Sequence, residues 1–334
     1  MKRRLKLVAV LPVLTVLAAL PAAACGSQAP SLSQPVTPPP EIGPPARPAD
    51  ALPAGPVGYG TVLYRGYDSA ATLVVADGRR FELPKPPAGE GRQGSLLATL
   101  SPDGRWLGLR TARYPRDPGY QVRDLLGGGA TMIDGEPVRW STDSRFLLVR
   151  AGERLSLVEP GIGEAHAVTI PANLAHLVTG VFPDGRLLTA AVRSDEAEFG
   201  VVSGDGVRRV RHVFASSEQD ECWCPVSGLP VLSVDRAHVY VAVAYRPGAA
   251  KATPVGATAI AVVDLATGVV DRRIDAPAGE LVGDIAAGLV MVVRHVDRTE
   301  VVLINAAIGG GRTLTTVPAT LTIAVPGQVL GRVE

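Results

Sequence analysis

The chain has 334 residues, of which 46% are hydrophobic, 19% charged and only 4% aromatic, and its formal net charge is +1 at pH 7. That length supports one large core or two ordinary domains, and a chain without a basic excess and with few aromatics is a poor nucleic-acid binder. Five His and three Cys leave little material for metal or thiol chemistry.

The first segment reads as an export signal. Lys2, Arg3, Arg4 and Lys6 form a positive n-region, residues 7–20 an apolar h-region, and Ala22, Ala23 and Ala24 a small-residue cleavage stretch. Cys25 follows at once. The arrangement resembles the bacterial lipobox, in which the Cys thiol is acylated and becomes the first residue, although that family prefers Leu where this chain has Ala22. The resemblance implies a lipoprotein-type signal over residues 1–25, lipidation at Cys25, and a protein held by lipid on the outer face of the cytoplasmic membrane. An ordinary secretory signal with an incidental Cys is one alternative. An uncleaved spanning helix is another, since residues 7–24 reach the ~17–25 residues needed, but Pro12 and Pro21 would break it. Residues 1–25 hold four of the 33 basic residues and none of the 32 acidic ones, so removal of the signal leaves a chain near −3.

Residues 26–57 hold ten prolines in 32 positions. Such a segment forms neither helix nor ladder and is expected to be a solvated linker, reaching at most about 100 Å at ~3.1 Å per residue. The folded part is then residues 58–334, and its pattern is all-β. Short β-branched runs alternate with Gly, Pro and Asp turns, and five Asp-Gly pairs (77–78, 103–104, 134–135, 184–185, 205–206) demand positive φ.

One phrase recurs. Ser101-Pro102-Asp103-Gly104-Arg105-Trp106-Leu107 is followed by Ser141-Thr142-Asp143-Ser144-Arg145-Phe146-Leu147 and Phe182-Pro183-Asp184-Gly185-Arg186-Leu187-Leu188, at spacings of 40 and 41 residues, with a degenerate echo at Ser233-Val234-Asp235-Arg236. A fixed period of this size marks a solenoid or propeller, with each copy a turn inside a four-stranded blade. Strand runs group into five complete blades, beginning near residues 96, 137, 177, 229 and 281. Three strands (61–64, 72–75, 79–83) stand at the start and one (320–325) at the end. Joined, they complete a sixth blade and remove the free sheet edges; residues 329–333 leave a seventh open. The phrase resembles the β-propeller repeats of TolB-type proteins, relatives of the WD-repeat class. The resemblance implies a β-propeller over roughly residues 59–334.

Chemistry is sparse. There is no Gly-x-Ser-x-Gly elbow, His-Glu-x-x-His, phosphate loop or dinucleotide fingerprint, and His166, His176, His212, His238 and His295 share no ligand spacing. They read as isolated strand or loop histidines, so no catalytic residue, metal or cofactor is assigned. The unusual local feature is Glu218, Asp220, Glu221, Cys222, Trp223 and Cys224, in the long connection between the third and fourth of the five complete blades. With Cys25 acylated, Cys222 and Cys224 are left to pair in an oxidising compartment. They read as a loop staple, with a redox site, or a soft-metal site completed by Glu218, Asp220 or Glu221, as the alternatives, and Glu218, Asp220, Glu221 and Trp223 read as a projecting interaction loop. The functional expectation is a lipid-anchored binding module with an envelope protein partner and no nucleic acid. The alternatives are a propeller enzyme of lyase, cyclotransferase or hydrolase type acting at the channel mouth, and a redox factor using Cys222 and Cys224.

Overall fold

The computed structural model describes residues 49–66, 69–84, 98–110, 120–193, 196–214, 222–226, 228–246 and 257–330. Cys25, the signal over residues 1–25 and most of the linker lie outside them. Strand pairing divides the described chain into consecutive units that are antiparallel apart from β1. The first holds β1 (Asp50–Ala51), β2 (Gly60–Arg65), β3 (Thr72–Val75) and β4 (Arg80–Glu82); the second β5 (Ala98–Leu100), β6 (Trp106–Arg110), β7 (Tyr120–Asp124) and β8 (Ala130–Ile133). The third is β9 (Glu136–Trp140), β10 (Leu147–Ala151), β11 (Arg154–Glu159) and β12 (Glu164–Val168). The fourth is β13 (Val178–Val181), β14 (Leu187–Val192), β15 (Glu196–Ser203) and β16 (Gly206–Val213). The fifth contains β17 (Cys222–Pro225), β18 (Val231–Leu232), β19 (His238–Arg246), β20 (Ala257–Asp264) and the first half of β21 (Val270–Ile285). The second half of β21 opens the sixth, with β22 (Gly288–Arg294), β23 (Arg298–Ile304) and β24 (Gly311–Pro318). Two short strands follow, β25 (Thr322–Ala324) and β26 (Val329–Leu330).

The recurring phrase builds one turn repeatedly. Ser101 Oγ donates to Asp103 Oδ1 at 2.5 Å and accepts the Trp106 N–H at 2.9 Å. Ser141 does the same with Asp143 at 2.7 Å and the Phe146 N–H at 2.8 Å, and Ser233 donates to Asp235. The fourth position is left-handed in every copy, with φ of 74° at Gly104, 65° at Ser144, 84° at Gly185 and 67° at Arg236. All five glycines of the Asp-Gly pairs also have positive φ. Only glycine adopts this region without cost. At Gly104 a Cβ would in addition stand 2.2 Å from the Gly60 carbonyl oxygen of the first unit. Ser144 is held there by its hydroxyl, which accepts the Asp103 N–H of the preceding unit at 2.9 Å.

Both faces of the inner units are buried, which explains why β19 and β20 read as continuous apolar runs rather than alternating ones. Val239, Val241 and Val243 pack with Phe182, Leu188 and Phe199 of the fourth unit, whereas Tyr240 and Ala242 join Leu281, Leu289 and Met291 of the sixth. The same sharing links the first unit to the second, the second to the third and the third to the fourth. A last cluster packs Val282, Val290 and Val301 of the sixth unit against Val325 and Ile323 at β25. That cluster closes the succession, because β25 pairs antiparallel with β2 of the first unit (Leu63 with Ala324, Tyr64 with Ile323). The architecture is a β-propeller, and the trailing strand joins the leading three as the strand count requires.

Three features differ from the sequence reading. The linker does not run free to residue 57: β1 pairs parallel with β4, Val57 is buried, and Arg123 donates to the Gly55 carbonyl at 2.5 Å. A two-residue strand at an outer edge tolerates the flanking prolines, whose missing N–H would be fatal in a sheet interior. The residues near 329 do not begin another unit, because β26 adds to β5 (Val329 with Thr99). Thr99 fixes that junction, its Oγ1 donating to the Gln328 carbonyl at 2.6 Å and accepting Trp140 Nε1–H at 3.0 Å. Finally, residues 222–225 are a strand rather than a loop (Trp223 opposite Tyr245).

Truncation after Val317 removes β25, β26 and the buried Val325 and Leu330. At about 1.5–3 kcal/mol for each large apolar side chain, plus two strand pairings, the loss approaches the ~5–15 kcal/mol that keeps a domain folded. Urea unfolding of the truncated chain is expected to lose its cooperative transition; a transition matching the parent's would refute closure. The left-handed turn position makes a second, opposite-signed pair. Arg236→Gly is expected to stabilise by about 1 kcal/mol, whereas Gly104→Ala destabilises by more than about 2 kcal/mol, both read from thermal or urea melts.

Candidate functional site

The innermost strands of several units surround one cavity of about 430 Å³. Residues of β9, β18, β21, β22, β25 and β26 line it, so closure of the chain also completes its wall. Free strand edges present backbone N–H and C=O groups in addition to side chains. The charged groups lining it are Arg139, Glu280 and Arg294, and Glu280 lies 3.9 Å from Arg294. Leu229, 42% exposed, stands at its margin. The Glu280–Arg294 pair and Arg139 therefore give the cavity its charged lining.

Of the residues singled out in sequence, Glu218, Asp220 and Glu221 lie outside the described residues. Cys224 is disulfide-bonded and only 3% exposed. A sulfur buried in a strand is poorly placed for thiol exchange, which requires access by an attacking thiolate. Trp223 does not project. It is half-buried against the core shared by the fourth and fifth units, 5.4 Å from the Tyr245 ring, with the Arg273 guanidinium 5.6 Å above it.

His238 is not the isolated strand histidine expected from its spacing. Its Nδ1 lies 2.7 Å from Asp235 Oδ2 and its Nε2 3.0 Å from Asp271 Oδ2, with Asp264 directly opposite in the ladder. Burial alone would disfavour the charged ring, but the hydrogen bonds and charges of Asp235 and Asp271 outweigh it and raise the pKa. Sequence separation hid this group, since Asp264 and Asp271 stand 26 and 33 residues beyond His238.

Asp284 links the fifth and sixth units by accepting the Val234 N–H at 2.7 Å. Burial pushes its pKa up to about 6; the Val234 N–H opposes the rise and the Asp235 charge adds to it.

No protein-family model matches the chain, and no curated protein does either. Among solved structures it is similar to a TolB candidate from Agrobacterium tumefaciens, at 14% identity over 81% of this chain and 99% of the other, with a TM-score of 0.42. It is also similar to TolB from Acinetobacter baumannii (14% identity, 83% and 67% covered, TM-score 0.37). A third is the β-propeller domain of the Trilobed protease from Pyrococcus furiosus (11%, 80% and 85%, TM-score 0.41). At these scores the similarities carry nothing alone, and the propeller assignment rests on the strand pairings and shared cores. No helix among the described residues is long and apolar enough to cross a membrane.

Asp284 gives a signed pH dependence. Between its ordinary value of 3.8 and about 6 the folded state holds a proton that the unfolded state has released, so this group's contribution falls as pH rises through that window. Asp284→Asn keeps an acceptor for Val234 and removes the titration. The stability of Asp284→Asn relative to the parent is therefore expected to climb from about pH 4 to about pH 6.5 and then level off, by about 2–3 kcal/mol. A difference that is flat with pH would contradict the assignment.

Proposed function

We propose that the protein is an exported, lipid-anchored, six-bladed propeller that binds an envelope protein partner by an acidic segment seated in the axial cavity. The cavity carries this reading: it lies where the inner strands converge, and its charged lining is two Arg and one Glu. Cys25 supplies the anchor, since a diacylglyceryl group provides the two chains that stable attachment requires. The Pro-rich residues before β1 act as the spacer. The disulfide at Cys224 is buried and serves as a structural staple rather than a redox centre.

Two measurements test this in cells. Cys25→Ser is expected to move the protein out of the detergent phase; unchanged partitioning would remove the anchor. A photo-crosslinking residue at Leu229, beside the cavity, is expected to trap a discrete partner that is lost on Arg139→Ala. The same residue at Ile162, 64% exposed and away from the cavity, should trap none. Equal trapping at the two positions, or none at Leu229, would overturn the binding role.

A further inference from the structure

The carboxylates around His238 are arranged beyond what an ion pair requires. His238 opens β19, Asp264 closes β20, and Asp271 lies near the start of β21, so one end of three neighbouring strands carries all three. His238 and Asp264 are directly paired, while a register shift beside Val262 and Val263 leaves Asp271 as the extra residue between Val270 and Arg272. Such a bulge re-aims a side chain. One ligand atom from each of the three lies within 4.8 Å of the others. The first two are also oriented from behind. Asp235 holds His238 Nδ1, leaving Nε2 on the side of Asp271, and is itself fixed by the Ala237 N–H at 2.8 Å. Asp264 Oδ1 accepts the Ala266 N–H at 3.0 Å and both the N–H and hydroxyl of Thr267 at 2.7 Å.

Charge balance points the same way. Three carboxylates surround one imidazole, and among the described residues no Arg or Lys forms an ion pair with Asp235, Asp264 or Asp271. Even with a protonated ring the four side chains carry a net charge of −2.

We propose that His238 Nε2, Asp264 and Asp271 bind a first-row divalent cation of the Zn²⁺ type, with Asp235 as the positioning residue behind His238. One imidazole and two carboxylates are a donor set for such ions, and the carboxylate–imidazole–metal relay is a recurrent way of orienting a ligand histidine. The cation replaces the proton on Nε2, which passes to solvent, and water completes the coordination. The site joins three strands of the fifth unit and is separate from the axial cavity, so it stands whether or not the cavity binds a partner.

Isothermal titration of chelator-stripped protein with ZnCl₂ at pH 7.5 is expected to show one equivalent bound, and MgCl₂ to bind at least tenfold more weakly. His238→Ala should abolish binding and Asp271→Asn weaken it by about tenfold or more; Asp235→Asn, by releasing the ring, should weaken it about tenfold. His166→Ala, at a surface His beside Glu164, should leave it unchanged. His238→Gln and metal-free melting temperatures separate loss of a ligand from loss of fold. Absence of Zn²⁺ binding to the parent, Mg²⁺ binding of equal strength, or unchanged affinity in a folded His238 variant would each overturn the assignment.

Discussion

The antiparallel pairing of β25 with β2 is the interaction on which the rest depends. It joins residues 63–65 to residues 322–324, far apart in the chain, and places Val325 and Ile323 in the core beside the sixth unit. Without it the first and last units would each expose a buried face and a free strand edge. With it, every unit is packed on both sides, and long apolar strands such as β19 and β20 become soluble parts of a folded chain. The same pairing brings β25 and β26 to the cavity wall, so the cavity is a consequence of closure.

Links between consecutive units reinforce this arrangement. The Asp103 N–H reaches Ser144, the Thr142 N–H reaches the Val181 carbonyl, and the Val234 N–H reaches Asp284. Elsewhere between units, Arg208 donates to the Leu265 carbonyl and Arg272 to the Ala306 carbonyl. Each such bond contributes only about 0.5–1.5 kcal/mol net, so their part is to fix the angle between units whose attraction is the shared apolar core.

Much of this was legible in sequence because the turn is chemically demanding. Ser-x-Asp supplies an acceptor for the N–H at the next strand's start, and a left-handed fourth position selects Gly, as at Gly104 and Gly185. The odd strand at the end was assignable by count alone. The cavity and the His238 group were not, because register and a bulge bring together residues with no common spacing. Cys222–Pro225 was hidden for another reason: a short edge strand ending in Pro carries little periodic signal, and only its pairing with β19 makes it a strand.

Native-state hydrogen exchange tests closure most directly, because it reads the stability of the joining strands without altering them. Slow-exchanging amides of β2 and β25 are expected to open with the same free energy as those of β10 and β20, as parts of one cooperative ring. If β2 and β25 exchange near unprotected rates while β10 and β20 stay protected, the ring is not closed there and the account fails.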